Sequence, residues 1–179
     1  MNSQLKQSGF GLLEVLITLV LTAIGVLGMV AMQSKSIQYT QQSINRNTAA
    51  TLASDLMETL RGNRDDIYDA QAKLRSDSPY FKKAGADFAA AEEDCSNLDN
   101  ECPKAQLQAW KNRAQQQLPG VTDAFIKKEF HICISQAASG CAATGSAIEI
   151  RVAWLGRTEE CEPNASGEPV CSYILRAEI

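Results

Sequence analysis

Proline and histidine are scarce in this sequence of 179 residues, which has five prolines, none of them before Pro79, and one histidine, His131. Between Gly28 and Gly62 there is neither glycine nor proline, so nothing in that stretch interrupts a helix. There is no Cys-x-x-Cys pair, which argues against a zinc site. Catalytic triad, paired-carboxylate and phosphate-loop patterns are missing too. We therefore expect no enzyme activity, no metal and no cofactor.

Charge is nearly missing from the N-terminal part of the chain. Residues 10–32 carry one charge, Glu14, whereas residues 63–179 carry 13 Lys and Arg, 18 Asp and Glu, and all six cysteines. The mildly acidic second part argues against a nucleic-acid partner, because phosphate binding requires clustered Lys and Arg. Its two basic doublets, at 82–83 and 127–128, are expected to be solvated surface.

The apolar run at residues 10–32 is long enough to cross a membrane once. As a helix it would extend about 35 Å, against a hydrocarbon core of about 30 Å. Residues 1–9 contain Lys6 and no acid, which places them in the cytoplasm and the cysteine-rich part in an oxidising compartment outside. A secretory signal peptide is the rival interpretation. The run is longer than the usual core of such peptides, and no A-x-A cleavage site follows it.

Glu14 is the informative residue of this run. A carboxylate inside a membrane helix costs about 2.5 to 3.5 kcal/mol, so it usually has a partner or a function. The next cation in the helix, Lys35, would be about 31 Å away along the axis. Glu14 therefore either reaches the headgroups or water at the interface, or meets a cation of the chain's own start or of another chain.

The residues around Glu14 resemble a known processing signal. Residues 6–9 (KQSG) followed by residues 10–16 (FGLLEVL) are similar to the class III signal of type IV pilins and pseudopilins. The resemblance implies that a prepilin peptidase cuts between Gly9 and Phe10 and methylates the new amine of Phe10. It also implies that Glu14 faces the N-terminal amine of a neighbouring subunit during assembly.

Three further segments, residues 23–33, 45–56 and 60–63, resemble the PilV-type minor pilins, a group named for pilus modification. This resemblance implies storage in the inner membrane with a periplasmic head, followed by incorporation into the pilus fibre or tip. Its implied partners are membrane lipid, other minor pilins and a large tip adhesin, with the major pilin and the inner-membrane assembly platform as further candidates. The implied role is to start pilus assembly, which supports twitching motility and adhesion.

Two alternatives remain open at this point. A minor pseudopilin of a type II secretion machine shares the signal and the helix, although the longer head and residues 24–33 favour the pilus. A membrane-tethered periplasmic binding or enzymatic domain would use the helix only as an anchor.

The sequence predicts three segments: a leader at residues 1–9, a long helix at 10–62 that spans the membrane at 10–32, and a globular head at 63–179. The outer half of the helix carries an apolar stripe at three- and four-residue steps. We expect the head to pack on residues 44–62. The stripe consists of Ile37, Ile44, Ala49, Leu52, Ala53, Leu56, Met57 and Leu60.

In the head, Pro103 suits the start of a second helix, which Pro119-Gly120 would end. Hydrophobicity then alternates with a period of two in three runs, 130–135, 148–154 and 173–178. This pattern predicts a three-stranded antiparallel meander with one face on the long helix. The predicted fold class is α+β, and the resemblance implies the type IV pilin fold.

The six cysteines allow 15 pairings, and sequence alone does not select one. Spacing favours Cys95–Cys102, Cys133–Cys141 and Cys161–Cys171. The acidic loop around the first pair offers oxygen atoms to calcium, but without EF-hand spacing a solvated loop is favoured. Those oxygens belong to Asp94, Asn97, Asp99 and Glu101. His131 lies on the polar face of a predicted strand and has no free nucleophile near it in sequence, so we expect a structural role for it.

Overall fold

The computed structural model describes residues 11–88, 103–136 and 140–178. The chain divides into two units, Met1–Gln41 and Gln42–Ile179, and each is described by itself. The predicted leader, the cleavage site Gly9-Phe10 and the predicted Cys95–Cys102 disulfide with its acidic loop lie outside the described residues.

The first unit contains the N-terminal part of helix α1, which runs from Leu12 to Gly62. Its first turn closes on the carbonyl of Gly11, which accepts the N–H of Glu14 at 2.9 Å. This part of α1 is long and apolar enough to cross a membrane, and its apolar side chains are exposed. The hydroxyls of Thr18 and Thr22 donate to backbone carbonyls one turn earlier, at 2.9 and 2.7 Å. No polar side chain therefore presents an unsatisfied hydroxyl hydrogen at these two positions to lipid.

In the second unit, α1 packs on the head through six fully buried residues. They are Ala49, Leu52, Ala53, Leu56, Met57 and Leu60. The predicted stripe is wrong at its other end, because Ile44 is 56% exposed. At 3.6 residues per turn, Ile44 lies about 140° around the helix from Ala49, so it belongs to a different face. Ile37, in the first unit, is exposed as well.

The described residues 63–88 that follow α1 are mostly irregular, and residues 103–136 contain two more helices. A 3-10 turn at Arg64–Asp66 follows directly, and α2 spans Pro103–Gln117, with the start that the sequence predicts. Helix α3, Asp123–Glu129, was not predicted. The signal for it is present, because the Thr122 hydroxyl caps its first turn by accepting the Phe125 N–H at 3.2 Å.

The head contains a four-stranded antiparallel sheet in the order β1-β2-β4-β3. Its strands are β1 (His131–Ser135), β2 (Ala147–Leu155), β3 (Glu162–Pro163) and β4 (Pro169–Ala177). The predicted meander corresponds to β1, β2 and β4, and the two-residue β3 is added at the edge. A long apolar helix followed by a small antiparallel sheet confirms the predicted α+β, type IV pilin-like architecture.

The two faces of the sheet are both covered at its centre, which the alternating pattern did not predict. Ile132, Ile148 and Ile150 belong to the core that also contains the buried stripe of α1. On the opposite face, Ser135 and Glu149 are also buried.

Among the described residues of the head, two disulfides form, both at pairings that the cysteine spacing favours. Cys133–Cys141 ties β1 to the loop that follows it, with 5.5 Å between the Cα atoms. Cys161–Cys171 ties the segment before β3 to β4, with 4.7 Å between the Cα atoms.

Candidate functional site

Glu14 lies in the first turn of α1, where the free N–H groups of a helix favour a negative charge. Among the described residues, no cation forms an ion pair with it. The predicted cleavage site, between Gly9 and Phe10, lies outside the described part of the chain. A carboxylate in this position, on a helix whose neighbouring side chains are apolar and exposed, can bind a cation that another chain supplies.

A buried carboxylate that sequence reasoning missed, Glu149, lies at the centre of the sheet and is 1% exposed. Arg176 on β4 donates to its Oε2 through Nε at 3.1 Å and through a second guanidinium nitrogen. His131 Nε2 lies 2.9 Å from its Oε1. The hydroxyl of Ser135 and the N–H of Gly140 also lie within hydrogen-bond distance of Oε2, at 3.3 and 3.1 Å. Donors from two strands and one loop therefore converge on a single carboxylate, and we call these five residues the Glu149 cluster.

Strand register explains why the cluster forms. Cys133 is directly opposite Glu149 on β1, and Arg176 is directly opposite it on β4. Residues two apart on a strand share a face, so His131 and Ser135 lie diagonally on either side of Glu149. No local sequence signal could show this, because the side-chain partners of Glu149 are 14 to 27 positions away in the chain.

The cluster keeps Glu149 ionised. Burial alone would raise the pKa of this carboxyl, but hydrogen bonds from Arg176, His131 and the Gly140 N–H outweigh burial and lower the pKa to about 2. The ionised group accepts the Gly140 N–H, and the Cys133–Cys141 disulfide attaches the same loop to β1. The cluster and the disulfide together hold Gly140 and Cys141, which precede β2, against the sheet.

The cluster contains a serine, a histidine and an acid, but their order does not suit nucleophilic catalysis. In a catalytic triad the histidine contacts the serine and the acid orients the histidine. Here Glu149 is in the middle, and the buried Ser135 hydroxyl lies near Glu149 and the carbonyls of Gln136 and Gly140. The arrangement suits structural support, which is the role expected for His131.

One histidine and two cysteines lie close enough together to resemble a metal-binding site, but the two cysteines form a disulfide. His131, Cys133 and Cys141 bring possible ligand atoms within 4.8 Å of one another. Metal binding by cysteine requires a thiolate, and these two sulfur atoms are bonded to each other. The three residues therefore do not form a metal-binding set while the disulfide is intact.

The expectation that both basic doublets are solvated is wrong for Lys82, which is 3% exposed. Its Nζ donates to the carbonyls of Phe130 at 2.6 Å and Lys127 at 3.2 Å, at the C-terminal end of α3, where a cation is favoured. Burial lowers its pKa to about 8, against the opposing effect of Asp87. Its backbone pairs with Ile132, so Lys82 also covers the outer edge of β1.

Comparison with known proteins identifies one motif. Residues 4–30 match the prokaryotic N-terminal methylation motif, and this match includes Gly9, Phe10 and Glu14. No curated protein matches the chain, and no solved structure matches it. The motif supports a type IV pilin-like protein or pseudopilin that is anchored in the membrane by one span. It also implies processing by prepilin peptidase and assembly with other pilins.

Proposed function

We propose that the chain is a minor pilin of the PilV type, which acts in the complex that starts type IV pilus assembly. The observation that carries the proposal is the methylation motif at residues 4–30, continuous with the apolar, exposed helix α1. The PilV-type segments at residues 23–33, 45–56 and 60–63 support the minor pilin over the major subunit.

The proposed mechanism is mechanical, without an enzymatic step. Prepilin peptidase cuts between Gly9 and Phe10 and methylates the new amine of Phe10. Glu14 then pairs with the N-terminal amine of a neighbouring subunit. Unit charges about 4 Å apart attract by about 4 kcal/mol at an effective dielectric of about 20, which offsets the cost of placing the carboxylate in the membrane.

The partners in this proposal are other minor pilins and a large tip adhesin, and then the major pilin and the inner-membrane assembly platform. The head resides in the periplasm before assembly and at the pilus tip or in the fibre afterwards. Two disulfides suit that location, since both compartments are oxidising. Twitching motility and adhesion then depend on the chain.

The test is to exchange Glu14→Leu in the full-length chain, with Thr18→Leu as the matched control. The control removes a hydroxyl that is already bonded to the helix backbone. We expect both variants to insert in the membrane, but only Glu14→Leu to lose surface pili and twitching. Unchanged piliation with Glu14→Leu contradicts the pairing. Normal piliation with loss of protein secretion, in cells that lack the whole chain, favours the pseudopilin alternative.

A further inference from the structure

The outer edge of β4, on the side away from β2, is a surface of the head that the proposed role of α1 in assembly does not use. Strand β3 pairs with β4 only at Pro169 and Val170. From Ser172 to Ala177, β4 pairs with β2 on one side. No strand among the described residues pairs with the other side of that segment.

The ladder pattern identifies the backbone groups on this edge. Ile132 exchanges both of its backbone hydrogen bonds with Lys82, at 2.8 and 2.9 Å, so it faces away from β2. In an antiparallel ladder the bonded pairs alternate, and the register carries this alternation across β2 to β4. The N–H and C=O groups of Ser172, Ile174 and Arg176 therefore point away from β2. We call these three residues the β4 edge.

Within the described part of the chain, the β4 edge lacks the features that usually protect exposed strands. Natural edges are blunted by charged side chains, proline, bulges or a covering element. The side chain of Arg176 is engaged with Glu149 in the cluster, and Ile174 is 50% exposed. The opposite edge of the sheet is different, because Lys82 covers β1 there. One edge is therefore covered and the other is open among the described residues.

The charges around the β4 edge select its occupant. The segment that contains the β4 edge, residues 156–178, has five acids and two arginines, one of which is Arg176. Arg151 on β2 lies directly opposite Ile174, but it pairs with Glu129. Glu162 and Glu168 at the β3 end and Glu178 at the other end are exposed. A second copy of the chain would bring the same acidic surroundings and be repelled. A segment with Lys or Arg on both sides of an apolar centre would be attracted.

We propose that the β4 edge docks an extended, basic-flanked strand of another protein, which adds to the sheet with an apolar residue beside Ile174. Main-chain hydrogen bonds to Ser172, Ile174 and Arg176 would hold the strand, as in other cases of strand addition. The inference concerns the head alone. It does not depend on the assembly role of Glu14, so either proposal can fail without the other.

A proline substitution separates docking from folding at this edge. Ser172→Pro removes an N–H that points outward and leaves the ladder between β4 and β2 intact, since proline is tolerated on the solvent side of edge strands. Ser172→Thr is the matched control, because it keeps the N–H and the hydroxyl. Both variants should retain the thermal unfolding midpoint of the unmodified chain.

The experiment uses the full-length chain in its native cells, with the photoreactive residue p-benzoylphenylalanine at position 174. We expect an adduct with one extended, basic-flanked segment of another protein, which peptide mass spectrometry locates. Its yield should fall at least about tenfold with Ser172→Pro and stay unchanged with Ser172→Thr. An equal yield with Ser172→Pro, an adduct only with lipid or with a second copy, or no protein adduct overturns the proposal.

Hydrogen exchange on the purified full-length chain gives a test that needs no variant. The amides of Ser172, Ile174 and Arg176 should exchange at least tenfold faster than those of Tyr173 and Leu175, whose N–H groups face β2. Equal protection of both sets would mean that the chain covers this edge itself, and it would overturn the proposal even if Ser172→Pro does not fold.

Discussion

The indole N–H of Trp110 on α2 donates a hydrogen bond of 2.8 Å to the backbone carbonyl of Leu52 on α1. The ring also contacts Phe88 and Phe130 edge to face, with centroids 6.1 and 5.9 Å away. One side chain therefore joins the long helix, the second helix and the residue that precedes β1. This contact fixes α2 against the part of α1 that carries the buried stripe.

Replacing the indole of Trp110 tests how much its hydrogen bond to Leu52 contributes to the free energy of unfolding. Trp110→Phe removes the hydrogen bond and leaves a cavity, and we expect the free energy of unfolding to fall by about 2 to 4 kcal/mol. Trp154→Phe is the control, since Trp154 is equally buried in the core but forms no comparable bond among the described residues. Chemical denaturation of the full-length protein in detergent measures both. An equal loss in the two variants would assign the effect to ring volume alone.

The Glu149 cluster predicts a stability that depends on pH. The pKa of Glu149 is lowered from 4.5 to about 2 in the folded chain. A lowered carboxyl pKa contributes stability above the unfolded pKa, and this contribution, about 3 kcal/mol, is lost as pH falls from about 5 towards 2. Denaturation curves at several pH values measure it.

Glu149→Gln should remove most of that pH dependence and destabilise the chain at pH 7, because Arg176 then loses its charged partner in a buried site. Glu162→Gln is the control, since Glu162 is exposed. A Glu149→Gln chain whose stability still falls between pH 5 and 2 by the same amount would show that other groups cause the loss.

The leader boundary predicts a processing defect. Gly9→Ala places a side chain where the peptidase needs close approach to an extended backbone, so we expect the uncut precursor to accumulate. Intact-mass spectrometry of membrane fractions distinguishes the precursor from the mature, methylated form. Gly11→Ala, two residues beyond the predicted cut, is the control. A normal mature mass for the Gly9→Ala chain would place the cut elsewhere.

The cysteines predict three disulfides in periplasmic material, including Cys95–Cys102, which lies outside the described residues. Non-reducing peptide mapping should find all three pairs, and free thiols at any pair would contradict that part. Replacing Cys133 and Cys141 together by alanine should lower the free energy of unfolding by about 2 to 3 kcal/mol, because the unfolded chain gains loop entropy. The Cys161–Cys171 disulfide closes a loop of similar length. Replacing these two cysteines together by alanine should therefore lower the free energy of unfolding by about the same amount.

The sequence predicted the elements whose signals are local. Helix α1 follows from the absence of Gly and Pro between Gly28 and Gly62, and α2 follows from Pro103 and Pro119-Gly120. The three main strands follow from their period of two. Helix α3 was missed because its seven residues are too few to show a period, although Thr122 marks its start.

The parts that sequence reasoning missed depend on contacts between distant residues. The alternation in residues 148–154 predicts only that Glu149 faces away from Ile148 and Ile150. The register of three strands is needed to show that His131 and Arg176 meet it. Lys82 belongs to a charged doublet, which usually means a solvated surface. Its burial results from the pairing of its backbone with β1, 50 positions along the chain at Ile132. The boundary of the buried stripe was misplaced because Ile44 lies five residues before Ala49, a step that puts it on a different face of α1.

The location of the two tryptophans has a spectroscopic consequence. Both Trp110 and Trp154 lie in the second unit, are 2% exposed, and are the only tryptophans of the chain. Tryptophan fluorescence of the full-length protein, excited selectively over tyrosine, therefore reports the folding of the second unit alone. A red shift of the emission marks its unfolding, while the passage of residues 12–32 between lipid, detergent and filament leaves the spectrum unchanged.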